Sequence, residues 1–230
     1  MTEIKKEMSN PIMELKDVRY TYTTKYVTVE AVRGVSYLFE KGKFYAIQGA
    51  SGSGKTTLLS IMAGLDYATE GNVLFDGVEL TNIDSAKHRR ENVSVIYQHY
   101  NLLPQLTVAE NVMYPMELAG MKSSEARERA KEYIKLVGLG EEEFIRFPAT
   151  LSGGQQQRVA IARALGTSAK VILADEPTGN LDKENTGNVI AILQELAHKK
   201  GYCVIVVTHD AIVADSADVK LLMEDGKLII

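Results

Sequence analysis

Apolar and polar residues alternate through the first fifty positions: Met13, Leu15 and Val18, then Tyr20 and Tyr22, then Val27, Val29, Val32, Val35 and Phe39. That period of two predicts strands between Ile12 and Ile47. Lys41-Gly42-Lys43 reads as a turn, and Phe44 to Gln48 as a short buried strand that ends in a glycine-rich loop. Beyond the loop, Leu58, Leu59, Met62 and Ala63 fall at helical spacing within Lys55 to Ala63, and Gly64 ends the helix. Val73 to Phe75, Asp76-Gly77 and Val78 to Leu80 predict a hairpin, and Val93 to Tyr97 another strand. From about Val108 to Leu165 the period becomes helical. Glu125 to Val137 sets Ala126, Ala130, Tyr133, Ile134 and Val137 on one stripe, with Glu125 and Arg129 paired at i,i+4 on the wet face. Two further buried-strand candidates, Val171 to Ala174 and Cys203 to Thr208, flank a helix from about Glu184 to Lys199 that carries Ile190, Leu193, Leu196 and Ala197. The helical middle therefore reads as an insertion into an α/β core.

A chain of 230 residues is long enough for one large α/β domain, at roughly 100–200 residues per domain. Charged residues are 24% and hydrophobic ones 45%, which excludes a mainly disordered, collagen-like or heptad-only protein. Lys plus Arg is 26 and Asp plus Glu is 30, a net charge of −4. A binder of nucleic-acid backbone usually carries the opposite sign, so no nucleic-acid partner is expected. Cys203 is the only cysteine, so an intrachain disulfide is impossible and a cytosolic site fits. Apolar runs such as Cys203 to Val207 are far shorter than the roughly 18 residues of a membrane span. Met1 to Asn10 lacks the apolar segment of a signal peptide. The chain is thus expected neither to cross a membrane nor to be exported by itself.

Gly49-Ala50-Ser51-Gly52-Ser53-Gly54-Lys55-Thr56 fits G-x-x-x-x-G-K-[ST], between a predicted strand and a predicted helix as that motif requires. Such a loop converges backbone N–H groups on phosphate oxygens, and the helix adds its positive end. Lys55 supplies a point charge to the β and γ phosphates, and the Thr56 hydroxyl can ligate Mg²⁺. An ordinary glycine turn before a helix is the plainer reading, and the flanking elements argue against it. A dinucleotide fingerprint opening at Gly52 fails at Thr57, and a nucleophile elbow opening at Gly49 fails at Ser53.

Val171-Ile172-Leu173-Ala174-Asp175-Glu176 is an apolar strand ending in two adjacent carboxylates. At a strand end both can face one site: Asp175 suits Mg²⁺ positioning, and Glu176 suits alignment and deprotonation of an attacking water. Alone, the pair would read as a solvated strand end before Pro177; beside a complete phosphate loop it reads as chemistry. Ser152 is a good N-cap, and Gly153 and Gly154 leave the first-turn N–H groups of the following helix uncovered. That helix start could grip a second face of a triphosphate.

Leu151-Ser152-Gly153-Gly154-Gln155, followed by Gln156-Gln157-Arg158, resembles the signature motif of ATP-binding cassette (ABC) ATPases. The other marks of that family stand in order. They are the loop at Gly49 to Thr57, Gln98 at the start of the helical insertion, and the run Ala174-Asp175-Glu176-Pro177-Thr178-Gly179-Asn180-Leu181-Asp182. His209 follows the last core strand, and Tyr22 holds the upstream aromatic position. The resemblance implies a P-loop NTPase core of the ABC ATPase type, with an antiparallel β subdomain and an inserted α-helical subdomain. Residues 1–230 would form a single domain: a RecA-like core plus β subdomain at about 12–97 and 166–230, and the helical part at about 98–165.

It further implies that Tyr22 stacks on adenine, although Tyr20 has the same facing by alternation alone. Gln98 would reach Mg²⁺ and the water, and His209 would hold the γ-phosphate and Glu176. Asp182 would sit at a dimer seam while also capping its helix. Gly49, Ala50, Ser51, Gly52, Ser53, Gly54, Lys55, Thr56 and Thr57 would bind nucleotide, as would Ser152, Gly153, Gly154 and Gln155 from a second copy. Mg²⁺ would rest on Thr56, Gln98 and Asp175.

By the same resemblance, ATP closes a sandwich of two cassettes and hydrolysis reopens it, driving transmembrane permease subunits from the cytoplasmic face of the membrane as a peripheral partner. Tyr100, Leu102, Leu103, Met113, Tyr114, Met116 and Met121 give Gln98 to Gly120 the character of a greasy docking surface, with core packing as the plainer reading. Tyr97 to Val112 and Gly179-Asn180-Leu181-Asp182 look most like the bacterial branch serving lipoprotein release, macrolide and antimicrobial-peptide export, and cell division. The chain departs from that branch at Tyr97, His99 and Tyr100. A soluble ABC-type ATPase acting on DNA or ribosomes, and a nucleotide-sensing switch, are the alternatives. Lys87-His88-Arg89-Arg90 reads as a solvated face, with a headgroup or partner contact as the second choice, Glu141-Glu142-Glu143 as solvated loop or first-turn helix charge, and Cys203 as buried and inert.

Overall fold

The computed structural model describes residues 11–229, so the reading of Met1 to Asn10 falls outside the described residues. The chain opens with β1 (Met13–Thr23), β2 (Thr28–Phe39) and β3 (Phe44–Gln48), followed by α1 (Lys55–Met62). β4 (Glu70–Phe75), β5 (Val78–Glu79), α2 (Ser85–Glu91) and β6 (Val93–Ile96) come next. The helical stretch holds α3 (Val108–Leu118), α4 (Ser123–Leu136), α5 (Glu141–Phe144) and α6 (Gly153–Leu165). β7 (Val171–Asp175), α7 (Lys183–His198), β8 (Cys203–Thr208), α8 (Ala211–Asp215), β9 (Val219–Glu224) and β10 (Lys227–Ile229) complete the fold.

Four strands form an antiparallel sheet in the order β2-β1-β4-β5; six form a second sheet in the order β10-β9-β3-β8-β7-β6. In the second, β9 through β6 run parallel and only β10 pairs antiparallel, at the edge. Its inner strands are apolar on both faces, as a covered parallel sheet requires. The period of two then splits the interior. Cys203, Ile205 and Val207 of β8, with Val171 and Leu173 of β7, pack against α1 and the antiparallel sheet. Val204 and Val206, with Ile172 and Ala174, pack against Val112 of α3, Ile134 of α4, Val159 of α6 and Leu193 of α7.

Two caps fix the helical layer. Ser152 Oγ accepts from the Gln155 N–H at 3.3 Å while Gln155 Oε1 accepts from the Ser152 N–H at 3.0 Å, a reciprocal box at the start of α6. Thr107 and Glu110 make the same box at α3. Asn111 is fully buried, and its amide bonds the carbonyls of Leu103, Leu106 and Thr107, which sets the path of the chain into α3.

Lys87 to Arg90 is not a solvated run. It lies in α2, where His88 is buried with Nε2 3.1 Å from the Met62 carbonyl oxygen, and Arg89 donates to the Gly64 carbonyl oxygen at 2.7 Å. Only Lys87 and Arg90 point to solvent, because this short helix packs on the end of α1 through its one imidazole. Glu143 is also engaged: its carboxylate accepts from the Gly140 N–H and from Gln155 Nε2. Cys203 is buried, and burial pushes its thiol up to about 12.

Candidate active site

Parallel pairing brings three chain ends to one edge of the sheet. Gln48 of β3 pairs with Thr208 of β8, and Val207 of β8 pairs with Asp175 of β7. The loop after β3, the carboxylates ending β7 and the turn after β8 therefore emerge together, at the carboxyl ends where open parallel sheets place their sites.

The loop closes on Gly54, the N-cap of α1, whose φ of +101° lies in the region that favours glycine. A Cβ there would also collide with the Ala31 carbonyl oxygen, so the loop packs against β2 only with glycine at this position. Lys55 is 7% exposed, and its Nζ donates to the carbonyl oxygens of Gly49 at 2.7 Å and Ala50 at 2.8 Å. One residue on, Thr56 Oγ1 donates to Asp175 Oδ1 at 3.3 Å. Burial pushes the Asp175 carboxyl up. The Thr56 hydroxyl and the Lys55 charge pull it down, and neighbouring Glu176 pushes it up further.

Glu176 has φ +45°, a left-handed conformation that is uncommon for a residue of its size and turns its side chain toward β8. Oε1 accepts from His209 Nδ1 at 2.9 Å; Oε2 accepts from Thr208 Oγ1 at 3.0 Å and from the His209 N–H at 3.3 Å. The glutamate side chain is 14% exposed and that of His209 is 66% exposed. A fixed carboxylate and an exposed imidazole hydrogen-bonded to it thus both line the cavity.

The cavity between these groups measures about 680 Å³. Tyr22, Val29 and Ala31 form an apolar wall; Ser51, Gly52, Gly54, Lys55, Thr56 and Thr57 form the floor; Gln98, Asp175, Glu176 and His209 close the far side. Tyr22 is separated from its rival here. Its hydroxyl meets Thr57 Oγ1 at 3.2 Å, whereas Tyr20 packs into the core with its hydroxyl 3.5 Å from Asp66. The two rings share a face, as alternation implies, in edge contact with centroids 4.8 Å apart, and it is Tyr22 that lines the cavity.

Other expected site residues lie elsewhere. Ala50 and Ser53 line the opposite side of the loop with Met223 and Asp225, and the Gly49 N–H donates to the Thr208 carbonyl oxygen at 3.2 Å. Ser152, Gly153, Gly154 and Gln155 do not line the cavity. Within one chain, the start of α6 therefore offers no second grip on whatever the loop holds. Gly154 abuts Asn185, whose amide donates to both oxygens of Asp182 at 3.1 and 2.9 Å, and Asp182 caps α7 through the Asn185 N–H at 2.8 Å. Of the residues read as a greasy dock, Met113 and Met116 are buried in the core, and Leu102 and Met121 pack partly against it. Tyr114 remains exposed. Val29 and Ala31, which line the cavity, and Thr208, which holds Glu176, lie within strands and carry no local mark of those roles in the sequence.

A glycine loop between a parallel strand and a helix, facing carboxylates on a neighbouring strand end, defines a P-loop nucleotide triphosphatase. The family profile described as ABC transporter matches residues 32–179. Over 219 residues, 95% of this chain and 96% of its own length, an uncharacterized ABC transporter ATP-binding protein of Bacillus subtilis (strain 168), YclH, is 40% identical. The macrolide export ATP-binding/permease protein MacB of Shigella flexneri is 45% identical over 222 residues, but this chain spans only 34% of MacB. The dimeric bacterial ABC transporter cassette MJ0796 superposes with a TM-score of 0.87 at 39% identity, covering 95% of this chain and 97% of that one. Its dimeric post-hydrolysis state bound to ADP and Pi gives 0.86 at 38% identity, with the same coverage of 95% and 97%. The chain belongs to the ABC transporter family, as an ATP-hydrolysing cassette.

Proposed function

We propose that the cavity holds Mg²⁺–ATP and that two copies of this chain close over two nucleotides to drive a transmembrane permease. The observation that carries this reading is the gathering of the glycine loop, Asp175, Glu176, Gln98, His209 and Tyr22 around one cavity. Residues 12–97 and 166–230 act as the nucleotide-holding core with its β subdomain, and residues 98–165 as the helical arm. Tyr22 stacks on the adenine, with Val29 and Ala31 beside it. Of the loop Gly49 to Thr57, the N–H groups of Gly52, Gly54, Lys55, Thr56 and Thr57, which line the cavity, and the charge of Lys55 hold the phosphates.

The donors fit a hard divalent cation: the Thr56 hydroxyl lies 3.3 Å from the Asp175 carboxylate, and the Gln98 amide shares the cavity. Thr56, Asp175 and Gln98 would hold Mg²⁺, which when bound offsets negative charge on the β and γ phosphates. Glu176 orients the attacking water and takes its proton. Thr208 and His209 hold both oxygens of that carboxylate, so its lone pairs are aimed before substrate arrives. His209 also reaches the γ-phosphate from its exposed edge.

Ser152 to Gln155 lie outside the cavity of their own chain; the Ser152 and Gln155 N–H groups are used in the capping box, which leaves those of Gly153 and Gly154 to cap the triphosphate of a partner copy. Turning an open-to-closed ratio from 1:99 to 99:1 takes about 5.5 kcal/mol of differential binding, which two shared nucleotides supply in this scheme. Release of the γ-phosphate removes the bridge and the pair opens. The permease docks on the groove around residues 98–120, at the cytoplasmic face of the membrane. Among the described residues no helix is long and apolar enough to cross a membrane. The MacB relatives, named for macrolide export, favour export as the work done, over an ATPase serving DNA or ribosomes; lipoprotein release and force transmission rest on the resemblance of residues 97–112 and 179–182 alone.

The test is Glu176→Gln. Steady-state phosphate release should fall to background while ATP affinity stays within a few-fold of the parent, because the binding contacts survive and the base does not. Equal turnover in the two proteins would remove Glu176 from the mechanism and this reading with it.

A further inference from the structure

We propose that Arg163 is a positioning residue for Gln98: its guanidinium grips the turn after β6 from the far end of α6 and so fixes where the Gln98 amide points. The inference rests on the role proposed above for Gln98.

Arg163 lies in the last turn of α6. Its Nη1 donates to the Asn101 carbonyl oxygen at 2.6 Å and its Nη2 to the Tyr100 carbonyl oxygen at 3.0 Å. Those two acceptors belong to consecutive non-glycine residues with positive φ, +60° at Tyr100 and +47° at Asn101. Asparagine tolerates that region, but for a tyrosine it is strained and persists only where surroundings over-determine it. The fork of one guanidinium, which reaches two carbonyls at once, is such a constraint. Among the described residues no carboxylate pairs with Arg163, and burial pushes its pKa down, so the two carbonyls are what satisfies a charge held out of water.

The turn is also held from its other side. Asn180 Nδ2 donates to the Gln98 carbonyl oxygen at 3.2 Å, and a Cβ at Gly153 would come within 2.8 Å of the Tyr100 hydroxyl. One helix therefore touches the turn at both ends: its first residue lies against the Tyr100 ring and its last turn holds the Tyr100 and Asn101 backbone. A tilt of α6 when its start meets a partner's nucleotide is passed through this double contact to Gln98. Arg163 acts through Gln98 and touches no reacting atom.

The experiment uses the full chain with Arg163→Lys, which keeps charge and stem but offers a point donor in place of a fork. Arg163→Met is the harsher companion, and each is made with and without Gln98→Ala. Phosphate release at saturating Mg–ATP, fluorescent-nucleotide affinity, melting temperature and amide exchange over residues 98–103 are measured. Arg163→Lys should lower kcat by about 10- to 100-fold, the scale of an ångström-size misplacement. Nucleotide affinity should stay within threefold, and exchange should quicken at residues 98–103 while α6 stays protected. Added to Gln98→Ala it should cost nothing more, since both changes remove one device.

Parental kcat in Arg163→Lys, beside a slowed Gln98→Ala, overturns the proposal while leaving the role of Gln98 intact. Losses that multiply in the double variant overturn it also. Parental kcat in Gln98→Ala instead removes the reading beneath it, and the proposal falls with that reading.

Discussion

Replacing His209 by alanine removes one of the three hydrogen bonds on the Glu176 carboxylate, the 2.9 Å contact to Oε1. The remaining two, from Thr208 Oγ1 and the residue-209 N–H, both fall on Oε2. One oxygen would then be free to swing while the other stays anchored. A hydrogen bond to a charged acceptor is worth about 1.5–3 kcal/mol. If that energy appears only when Glu176 is aligned on water, turnover falls roughly 10- to 150-fold. Loss of the contact proposed between the imidazole and the γ-phosphate would deepen the effect. Stability should hardly change, since the side chain is 66% exposed and surface substitutions usually stay within about 0.5 kcal/mol. Phosphate release at saturating ATP is compared with nucleotide affinity and melting temperature on the same preparations. A kcat within twofold of the parent would refute the argument that His209 aims Glu176, and if affinity alone fell, His209 would act in binding only.

Four other outcomes follow from the same geometry. Lys55→Ala should weaken ATP binding by at least tenfold, from loss of a charge-assisted bond of about 1.5–3 kcal/mol, and unchanged affinity in a fluorescence titration would count against the loop. Tyr22→Ala should lower affinity by about ten- to a hundredfold, at 1–3 kcal/mol for a base stacked on an aromatic face, whereas Tyr22→Phe, losing only the contact to Thr57, should stay within threefold. Leu193→Ala should cost about 2–5 kcal/mol in urea denaturation, because the side chain is fully buried between α7 and the sheet. Burial holds the folded-state pKa of His88 below its ordinary 6.5, with Arg89 adding to the effect. The unfolded chain takes up that proton first, so the stability tied to neutral His88 is full above about pH 6.5 and drains as pH falls below it. His88→Asn should therefore flatten the dependence of the denaturation midpoint on pH between about 7.5 and 5.5; an unaltered slope would assign the acid sensitivity elsewhere.

Elements whose signal is local were legible in the sequence. β3, the loop and α1 are marked by an apolar run, three glycines and a helical stripe; β7 and β8 are marked by apolar runs that need no partner to be recognised. What was hidden depends on tertiary crossing. α2 has no apolar stripe, being held by the Asp84 cap and a single buried imidazole. β9 alternates buried Leu221 and Met223 with exposed Lys220, Leu222 and Glu224, too short a pattern to stand out beside the turn that follows it. Tyr20 and Tyr22 share a face, and the choice between them turns on which one reaches the loop: Tyr22 meets Thr57, Tyr20 meets Asp66. Val29 and Ala31 reach the cavity only because β2 crosses the loop at Gly54. The grip of Arg163 spans from the end of α6 to residues 62 and 63 positions earlier, and no spacing rule announces it.

The central claim is that a triphosphate joins two copies of this chain through Ser152 to Gln155. The most direct measurement is the mass of Glu176→Gln in solution, by light scattering after size exclusion, with and without saturating Mg–ATP. The account predicts a rise from 25.3 kDa to twice that value with ATP, reversed by ADP. A mass that stays at one chain while bound ATP is retained would contradict it.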